Sequence, residues 1–380
     1  MGDYVRQMPH HGSADMARRP TAAMRFHVDV PLLLLLMVLT VYGLFVLYSA
    51  SGQNMGAVVR QGRYFALAYV VMIFAAQIDL GRYARWAPAL YAVGVAMLGG
   101  VLLFGVGAKG AQRWLDLGFM RFQPSEIMKL GVPLAVAWFL ADRTLPPRFL
   151  PILGALCLLG LPAVMILLQP DLGTALLIAS SGLFVLFMAG IGWRYIFGAV
   201  VLAVASAWPA WLFVLKDYQK RRILTLLDPE SDKLGAGWNI IQSKTAIGSG
   251  GWDGKGWMQG TQSQLDFLPE SHTDFIIAVM AEEFGLRGVL ALLVIYLLIL
   301  LRGFWIGMRA QSSFGRMMAG SLTLTFFVYI FVNMGMVAGL LPVVGVPLPL
   351  VSAGGTSVVT LMAGFGILMA ISTEKRKVTS

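Results

Sequence analysis

Residues 261–288 read TQSQLDFLPESHTDFIIAVMAEEFGLRG and place an acidic loop and a His-Thr-Asp directly before a long hydrophobic segment. Ionisable side chains are costly inside a bilayer and mark functional positions where they occur. A chain that concentrates several of them at one entry to the membrane therefore marks that entry as a candidate site. Within this stretch we single out Asp274 as the candidate for chemistry.

The overall composition is that of a membrane protein. Hydrophobic residues make up 58% of the 380-residue chain and charged residues only 13%, and the mean hydropathy is +0.74. A soluble domain could not cover so much apolar surface, whereas a protein with many spans exposes it to lipid. The one cysteine, Cys157, lies in an apolar run, which argues against a disulfide framework or a thiolate metal site. The predicted fold is an all-α polytopic integral membrane protein.

Ten segments are long and apolar enough to cross a bilayer as helices. They cover about residues 30–50, 63–79, 86–105, 124–142, 149–168, 171–190, 193–214, 274–301, 316–341 and 350–372. An even number of spans places both chain ends on one side of the membrane. The short loops on that side carry Arg82, Arg85, Arg143, Arg148, Arg194, Arg302, Arg309 and Arg316. Because such an excess marks the cytoplasmic side, the net charge of +10 predicts topology rather than a nucleic-acid partner.

The expected organisation is one membrane domain with short tails. We expect a disordered cytoplasmic tail over residues 1–24, a ten-helix membrane domain over 25–373, and a cytoplasmic tail over 374–380. The membrane domain includes a long extracytoplasmic loop, residues 215–273. Its many glycines between 235 and 260 argue against a long regular helix there.

Basic residues also occur on the side opposite the cytoplasmic charges, where topology does not require them. They include Arg60, Lys109 and Arg113, together with several Lys and Arg of the long loop. One explanation is a solvated outer face. The other is a site for an anionic group such as a pyrophosphate, which Arg binds as a bidentate fork and Lys as a mobile point charge. The sequence leaves both open.

Glu126 and Lys129 are ionisable residues inside a predicted span. They follow Pro124, which suits a helix start, and their i, i+3 spacing places them on one helix face. They form either a self-neutralising pair that faces the bundle or the polar wall of a cavity. Arg113 and Trp114, on the preceding outer loop, would continue such a wall.

The charged residues around position 280 are expected to lie at two different depths in the membrane. Glu283 and Arg287 have the i, i+4 spacing of a helical ion pair, which we interpret as structural. Asp274 lies roughly 12 Å further out than Glu282 along a helix, at the height of the lipid headgroups. It is either a base facing a lipid-linked phosphate or an acid in a first helical turn, with Thr273 as N-cap.

Several longer motifs add a family resemblance. They are VRQ at 59–61, GAQRWLDLG at 110–118, QPSEIMKL at 123–130, QPDLGTA at 169–175, the run from Gly237 to Gly288, and PLPLVSAGGTS at 347–357. In this order they resemble the SEDS proteins (shape, elongation, division and sporulation) of bacteria, over the whole membrane domain. The one departure is SAGG, where the family usually has SYGG.

The resemblance implies a ten-span helical bundle and a glycosyltransferase that polymerises lipid II on the outer face of the plasma membrane. The family's essential acid falls on Asp274, and matching positions imply roles in the cavity for Arg60, Trp114, Glu126 and Lys129. The candidates to hold the pyrophosphates are Arg60, Lys109, Arg113 and Lys129. A class B penicillin-binding protein, which supplies the transpeptidase, is the implied partner.

Two other functions stay open at this stage: a lipid II flippase and a non-catalytic scaffold for the penicillin-binding protein. The charges cluster in the outer half of the predicted spans, whereas a flippase should offer polar groups through the full depth. No clustered carboxylate motif indicates a metal site, although a divalent cation could accompany the pyrophosphates.

Overall fold

The computed structural model describes residues 27–108, 111–116, 121–232, 235–264 and 271–374. The predicted N-terminal tail, residues 1–24, lies outside the described residues. So does the C-terminal tail, apart from Glu374.

Helices dominate the described chain. Ten apolar helices of the described chain account for the ten predicted spans. Eight have at least 18 residues, one of them (Trp193–Phe213) only together with a π-helical turn, and Leu172–Met188 and Thr356–Ser372 have 17 residues each. The helices are α1 (Val30–Ala50), α2 (Met55–Ala76), α3 (Leu80–Phe104), α4 (Pro124–Ala141), α5 (Phe149–Leu168), α6 (Leu172–Met188), α7 (Trp193–Pro209), α8 (Asp217–Leu227), α9 (Ala236–Gly250), α10 (Ile276–Arg309), α11 (Ser313–Val337) and α12 (Thr356–Ser372). A π-helical turn, Ala210–Val214, extends α7, and single helical turns lie at Pro229–Asp232 and Thr261–Gln264. The all-α polytopic fold is confirmed.

Local capping explains where several of these helices begin. The side chains of Asp29, Asn54, Asp79, Asp171 and Ser312 each accept a hydrogen bond from a backbone N–H in the first turn. Such side chains satisfy donors that have no partner within the helix. Short polar residues between apolar runs therefore set the helix boundaries.

The packing places α4 and α11 inside the bundle. In the apolar 18-residue segment of each helix, 67% of the residues are buried in α4 and 61% in α11, whereas none are buried in α7. The helix α2 packs along α12, α3 along α4, and α10 along α11. Polar residues on α4 and α11 therefore face protein, and α7 exposes its apolar side chains to lipid.

A small antiparallel sheet connects α3 to α4. Its strands are β1 (Val106–Ala108), β2 (Ala111–Asp116) and β3 (Arg121–Phe122), in the order β1-β2-β3. Trp114 pairs with Val106, and Leu115 pairs with Phe122. Strands this short have no recognisable period in the sequence, so the spans alone could not predict them.

The glycine-rich loop contains one regular helix that the sequence analysis did not expect. Helix α9 begins after Gly235 and ends at Gly250, so its glycines lie mostly in its end turns. A side chain on Gly250 would overlap the backbone of Ala281 in α10. These glycines therefore permit close contact between α9 and α10 and do not break α9.

Helix α10 is broken at Gly285, whose backbone angles are φ 62° and ψ −161°. The loop 251–256 fills the break: Leu286 N donates to Gly251 O at 3.0 Å, and Lys255 N donates to Glu282 O at 2.9 Å. Backbone groups freed by a break at membrane depth need such partners. The break separates Glu283 from Arg287, so the predicted pair between them is wrong. Arg287 instead pairs with Asp253 of the inserted loop.

Both glutamates beside the break are buried and bonded. Glu282 accepts from Lys255 Nζ at 2.7 Å and from Gln262 N at 3.1 Å. Glu283 accepts from the Ser49 hydroxyl of α1. Trp257 of the long outer loop stacks on Phe45 of α1, with ring centroids 4.4 Å apart. The outer loop is therefore attached to both α1 and α10.

Replacing Gly285 with alanine should destabilise the protein. The positive φ with extended ψ is accessible essentially only to glycine and costs other residues about 1–3 kcal/mol, and an added Cβ would overlap Trp252 O and Gly254 N. A lower thermal midpoint in detergent, followed by tryptophan fluorescence, is the expected result. Gly198→Ala on α7 is the matched control, since a Cβ there meets no atom within 4 Å. Equal midpoints for the two variants would contradict this account of the break.

Candidate active site

Asp274 lies on a five-residue turn, 271–275, immediately before α10. Three consecutive carbonyls of this turn each accept a hydrogen bond from elsewhere in the protein. Ala353 N donates to His272 O at 3.0 Å, the Ser352 hydroxyl donates to Thr273 O, and Asn333 Nδ2 donates to Asp274 O at 2.9 Å. The backbone that carries the acid is therefore fixed before any substrate binds.

The surroundings of Asp274 differ from those of an ordinary helix-start acid. The N-cap of α10 is Phe275, and no side-chain cap bond is made there. Thr273 is therefore not the N-cap, and this alternative from the sequence analysis is wrong. The Cβ that a side chain at Gly345 would add lies 3.6 Å from Asp274 Oδ2. This is an ordinary van der Waals distance, so the loop at Gly345, whose φ is +74°, lies directly beside the carboxylate.

Glu126 and Lys129 form the predicted pair on α4, with Lys129 Nζ 2.7 Å from Glu126 Oε1. Both side chains are largely buried, with exposed fractions of 7% and 11%. The Lys129 ammonium also lies 5.6 Å from the ring centroid of Tyr329 on α11. The geometry is that of the self-neutralising pair, and Glu126 also borders a cavity.

That cavity has a volume of about 460 Å³ and lies between α2, α3, α4 and α12. Its lining is almost entirely apolar and includes Tyr64, Leu67, Leu130, Val359 and Ala363. Glu126 and the backbone of Gly355 lie at the same end, where α4 and α12 begin. The space is therefore suited to an apolar chain with a polar group at one end.

Arg113 in β2 contacts the start of α6. Its Nη2 donates to Pro170 O at 2.7 Å, and its Nε lies 3.6 Å from Asp171 Oδ2. Burial lowers the pKa of Arg222 on α8; nearby Tyr218 and Asp171 oppose that shift, and the positive charge of Arg113 adds to it. Arg222 therefore lies near both Arg113 and Asp171, so two positive charges surround one carboxylate here. Trp114 follows Arg113 in β2 and is partly buried.

The two remaining predicted residues are less constrained. Arg60 is exposed in the second turn of α2, and its neighbour Gln61 is the buried residue there. Gln61 Oε1 accepts from Gly354 N at 3.1 Å and so connects α2 to the loop before α12. Lys109 lies outside the described residues. Within the described ranges, no group of three or more His, Cys, Asp or Glu side chains could hold a metal ion.

Helix α11 contributes residues that the sequence analysis missed. Tyr329 approaches Lys129, and Asn333, one turn further on, bonds to Asp274 O. Their i, i+4 spacing in the apolar second half of the span was the available signal, because polar side chains in a span face the bundle interior. Ser352 and Gln61 carried no comparable signal, since their roles depend on contacts between distant parts of the chain.

Comparisons with known proteins agree on one family. The family of FtsW, RodA and SpoVE cell cycle proteins matches residues 30–377. Peptidoglycan glycosyltransferase MrdB of Escherichia coli is 55% identical over 352 residues, covering 93% of this chain and 95% of that protein. The probable peptidoglycan glycosyltransferase FtsW of Geobacter metallireducens is 36% identical, covering 92% and 95%.

Solved structures show the same similarity. A chain of a peptidoglycan synthase complex that coordinates polymerization and crosslinking superposes with a TM-score of 0.80 and 30% identity, covering 90% of this chain and 97% of that one. The rod shape determining protein RodA of Thermus thermophilus gives a TM-score of 0.69 and 27% identity, covering 90% and 96%.

Breaking the Glu126–Lys129 pair should destabilise the protein strongly. Glu126→Gln leaves the Lys129 charge buried without its carboxylate, which typically costs about 3–5 kcal/mol. Adding Lys129→Met should recover most of the lost thermal stability in detergent, because the buried charge is then gone. Asp253→Asn breaks the exposed pair with Arg287 and should cost at most about 1 kcal/mol. A double variant no more stable than Glu126→Gln alone would contradict the interpretation as a neutralising pair.

Proposed function

Because the chain belongs to the family of FtsW, RodA and SpoVE cell cycle proteins, we propose that it is a peptidoglycan glycosyltransferase of the RodA type. It polymerises lipid II into β-1,4 glycan strands during cell elongation and the maintenance of rod shape. The observation that carries this proposal is the similarity to a named peptidoglycan glycosyltransferase at 55% identity over 93% of the chain. The arrangement around Asp274 is consistent with it.

In this proposal Asp274 is the general base. The carboxylate takes the proton from the 4-hydroxyl of the acceptor GlcNAc, and that oxygen attacks the anomeric carbon of the donor MurNAc. The bond from that carbon to undecaprenyl pyrophosphate breaks as the new glycosidic bond forms. A single displacement at an α-linked pyrophosphate inverts the centre and gives the β-1,4 linkage, by the same logic as the inverting glycosidases.

The leaving pyrophosphate requires positive charge rather than a proton donor. Arg60 and Lys109 stay candidates to contact it. Arg113 is a third, supported by the excess positive charge that it and Arg222 create beside Asp171. Lys129 is committed to Glu126, so we assign this pair to the cavity wall, with Trp114 on the preceding strand.

The apolar cavity fits the lipid part of the substrate. Its volume of about 460 Å³ suits several isoprene units, and its lining offers apolar contacts along α2, α3, α4 and α12. With the lipid chain in this space, the pyrophosphate would lie at the end where Glu126 and Gly355 meet the outer loops. A substrate held in this way would present its sugars to the turn 271–275, which carries Asp274 and is called the acid-bearing turn below.

The chain is a multi-span membrane protein. We propose the bacterial plasma (inner) membrane as its location, with both termini in the cytoplasm and the active site on the extracytoplasmic side. A class B penicillin-binding protein is the proposed partner, which is supported by the structural similarity to a chain of a peptidoglycan synthase complex.

Replacing Asp274 with asparagine should abolish polymerisation, because asparagine is nearly isosteric but cannot accept the proton. General-base contributions are typically about 100- to 10,000-fold. The measurement is glycan formation from lipid II by the purified protein with its partner in detergent. Asp228→Asn, an exposed acid in the same outer loop, should retain full activity.

The same assay separates the alternatives. Polymer formation in detergent distinguishes a polymerase from a lipid II flippase, because micelles have no two sides between which a lipid could be moved. Full-length polymer from Asp274→Asn would refute the general-base role. A scaffold would lose partner binding in this variant without any change in polymerisation.

A further inference from the structure

Asn333 connects the acid-bearing turn to the loop opposite it. Its side chain is fully buried in α11, and Nδ2 donates both to Asp274 O at 2.9 Å and to Val346 O at 2.7 Å. Because both acceptors are carbonyl oxygens, only the amide nitrogen can face them, and the orientation of the amide is unambiguous. One side chain therefore connects the turn at Asp274 with the loop at Val346, which are far apart in the sequence.

An apolar residue would meet the packing requirement at position 333 more easily. The neighbouring residues of α11 are apolar, and a buried amide must make its hydrogen bonds to avoid a penalty. Asn333 Oδ1 is buried and has no hydrogen-bond partner among the described residues. The protein thus tolerates an unpaired Oδ1 at this position while the Nδ2 group of the same side chain donates two hydrogen bonds. This indicates that those two hydrogen bonds have a role.

The two carbonyls that Asn333 binds belong to Asp274 itself and to the loop beside its carboxylate. Val346 follows Gly345, where an added Cβ would lie 3.6 Å from Asp274 Oδ2. On the loop side, Leu348 N donates to the Ser352 hydroxyl at 2.9 Å, and that hydroxyl donates to Thr273 O. Asn333 and Ser352 therefore hold the loop 345–353 at a fixed distance from the acid.

We propose that Asn333 is a positioning residue that sets the place of the Asp274 carboxylate against the acceptor hydroxyl. The inference rests on the proposed function, in which Asp274 is the general base. Asn333 touches no reacting atom and acts through the backbone of Asp274 and the loop at Gly345. A displacement of about 1 Å at a reacting group can reduce turnover about 100-fold.

The test compares Asn333→Leu with a control variant on the same helix. Leucine has a similar volume but no donor, so both hydrogen bonds are lost without a new charge. Ser321→Ala also removes a buried hydrogen bond from α11 to a main-chain carbonyl, that of Ser181 at 2.7 Å, but one that points towards α6. The measurements are kcat and KM for lipid II polymerisation in detergent, together with the thermal midpoint of each variant.

For Asn333→Leu we expect kcat to fall about 100-fold while KM for lipid II changes less than about twofold. Ser321→Ala should keep the wild-type kcat at a comparable thermal midpoint. Equal kcat values for the two variants, or a rise in KM alone, would overturn the proposal.

If Asn333→Leu does not fold, Asn333→Ser replaces it, because serine retains one donor and should show an intermediate kcat. A wild-type kcat for Asn333→Ser would refute the positioning role, because serine can supply at most one of the two donated bonds.

Failure of this inference is distinguishable from failure of the proposed function. If Asp274→Asn is inactive and Asn333→Leu behaves like Ser321→Ala, Asp274 keeps its role and Asn333 loses the one proposed here. If Asp274→Asn is active, the general-base role fails whatever Asn333 does.

Discussion

The constraint on which this structure depends is that backbone groups within a bilayer must find hydrogen-bond partners inside the protein. In the described part of the chain, ten apolar helices satisfy it internally except at the break in α10. The informative regions are those where the chain is not helical. At Gly285 the inserted loop 251–256 supplies the missing partners, and at 272–274 the loop 345–353 and Asn333 supply them. Each irregular segment is therefore held by hydrogen bonds from a distant part of the chain, which connects the outer part of the bundle.

This arrangement gives the charged residues distinct tasks. Glu282 and Glu283 bind the outer loop and α1, so their buried carboxylates hold the break in α10 together. Glu126 is neutralised by Lys129 beside the apolar cavity. The turn that carries Asp274, in contrast, is held by hydrogen bonds to three consecutive carbonyls, and the carboxylate lies beside Gly345. A general base needs a backbone held in this way, because a small displacement of a reacting group lowers turnover.

The sequence predicted the spans well because length and hydropathy determine them locally. It also predicted the Glu126–Lys129 pair, whose members are three residues apart on one helix. It failed where contacts are distant. The wrong pairing of Glu283 with Arg287 assumed a continuous helix, and Gly285 alone does not reveal a break that depends on a loop 30 residues earlier. Asn333 and Asp274 are 59 residues apart, and no periodicity indicates that they meet.

The contacts at the acid-bearing turn also explain which positions can vary without loss of geometry. Ala353 stands where the resembling family usually has tyrosine, yet it contributes only its backbone N–H to His272 O. Any residue except proline can make that bond. Asn333 and Ser352 act through side-chain donors, so their chemistry cannot be supplied by the backbone. The departure at Ala353 therefore leaves the hydrogen bonds to the turn intact, whereas the same degree of change at Asn333 would remove the bond to Asp274 O.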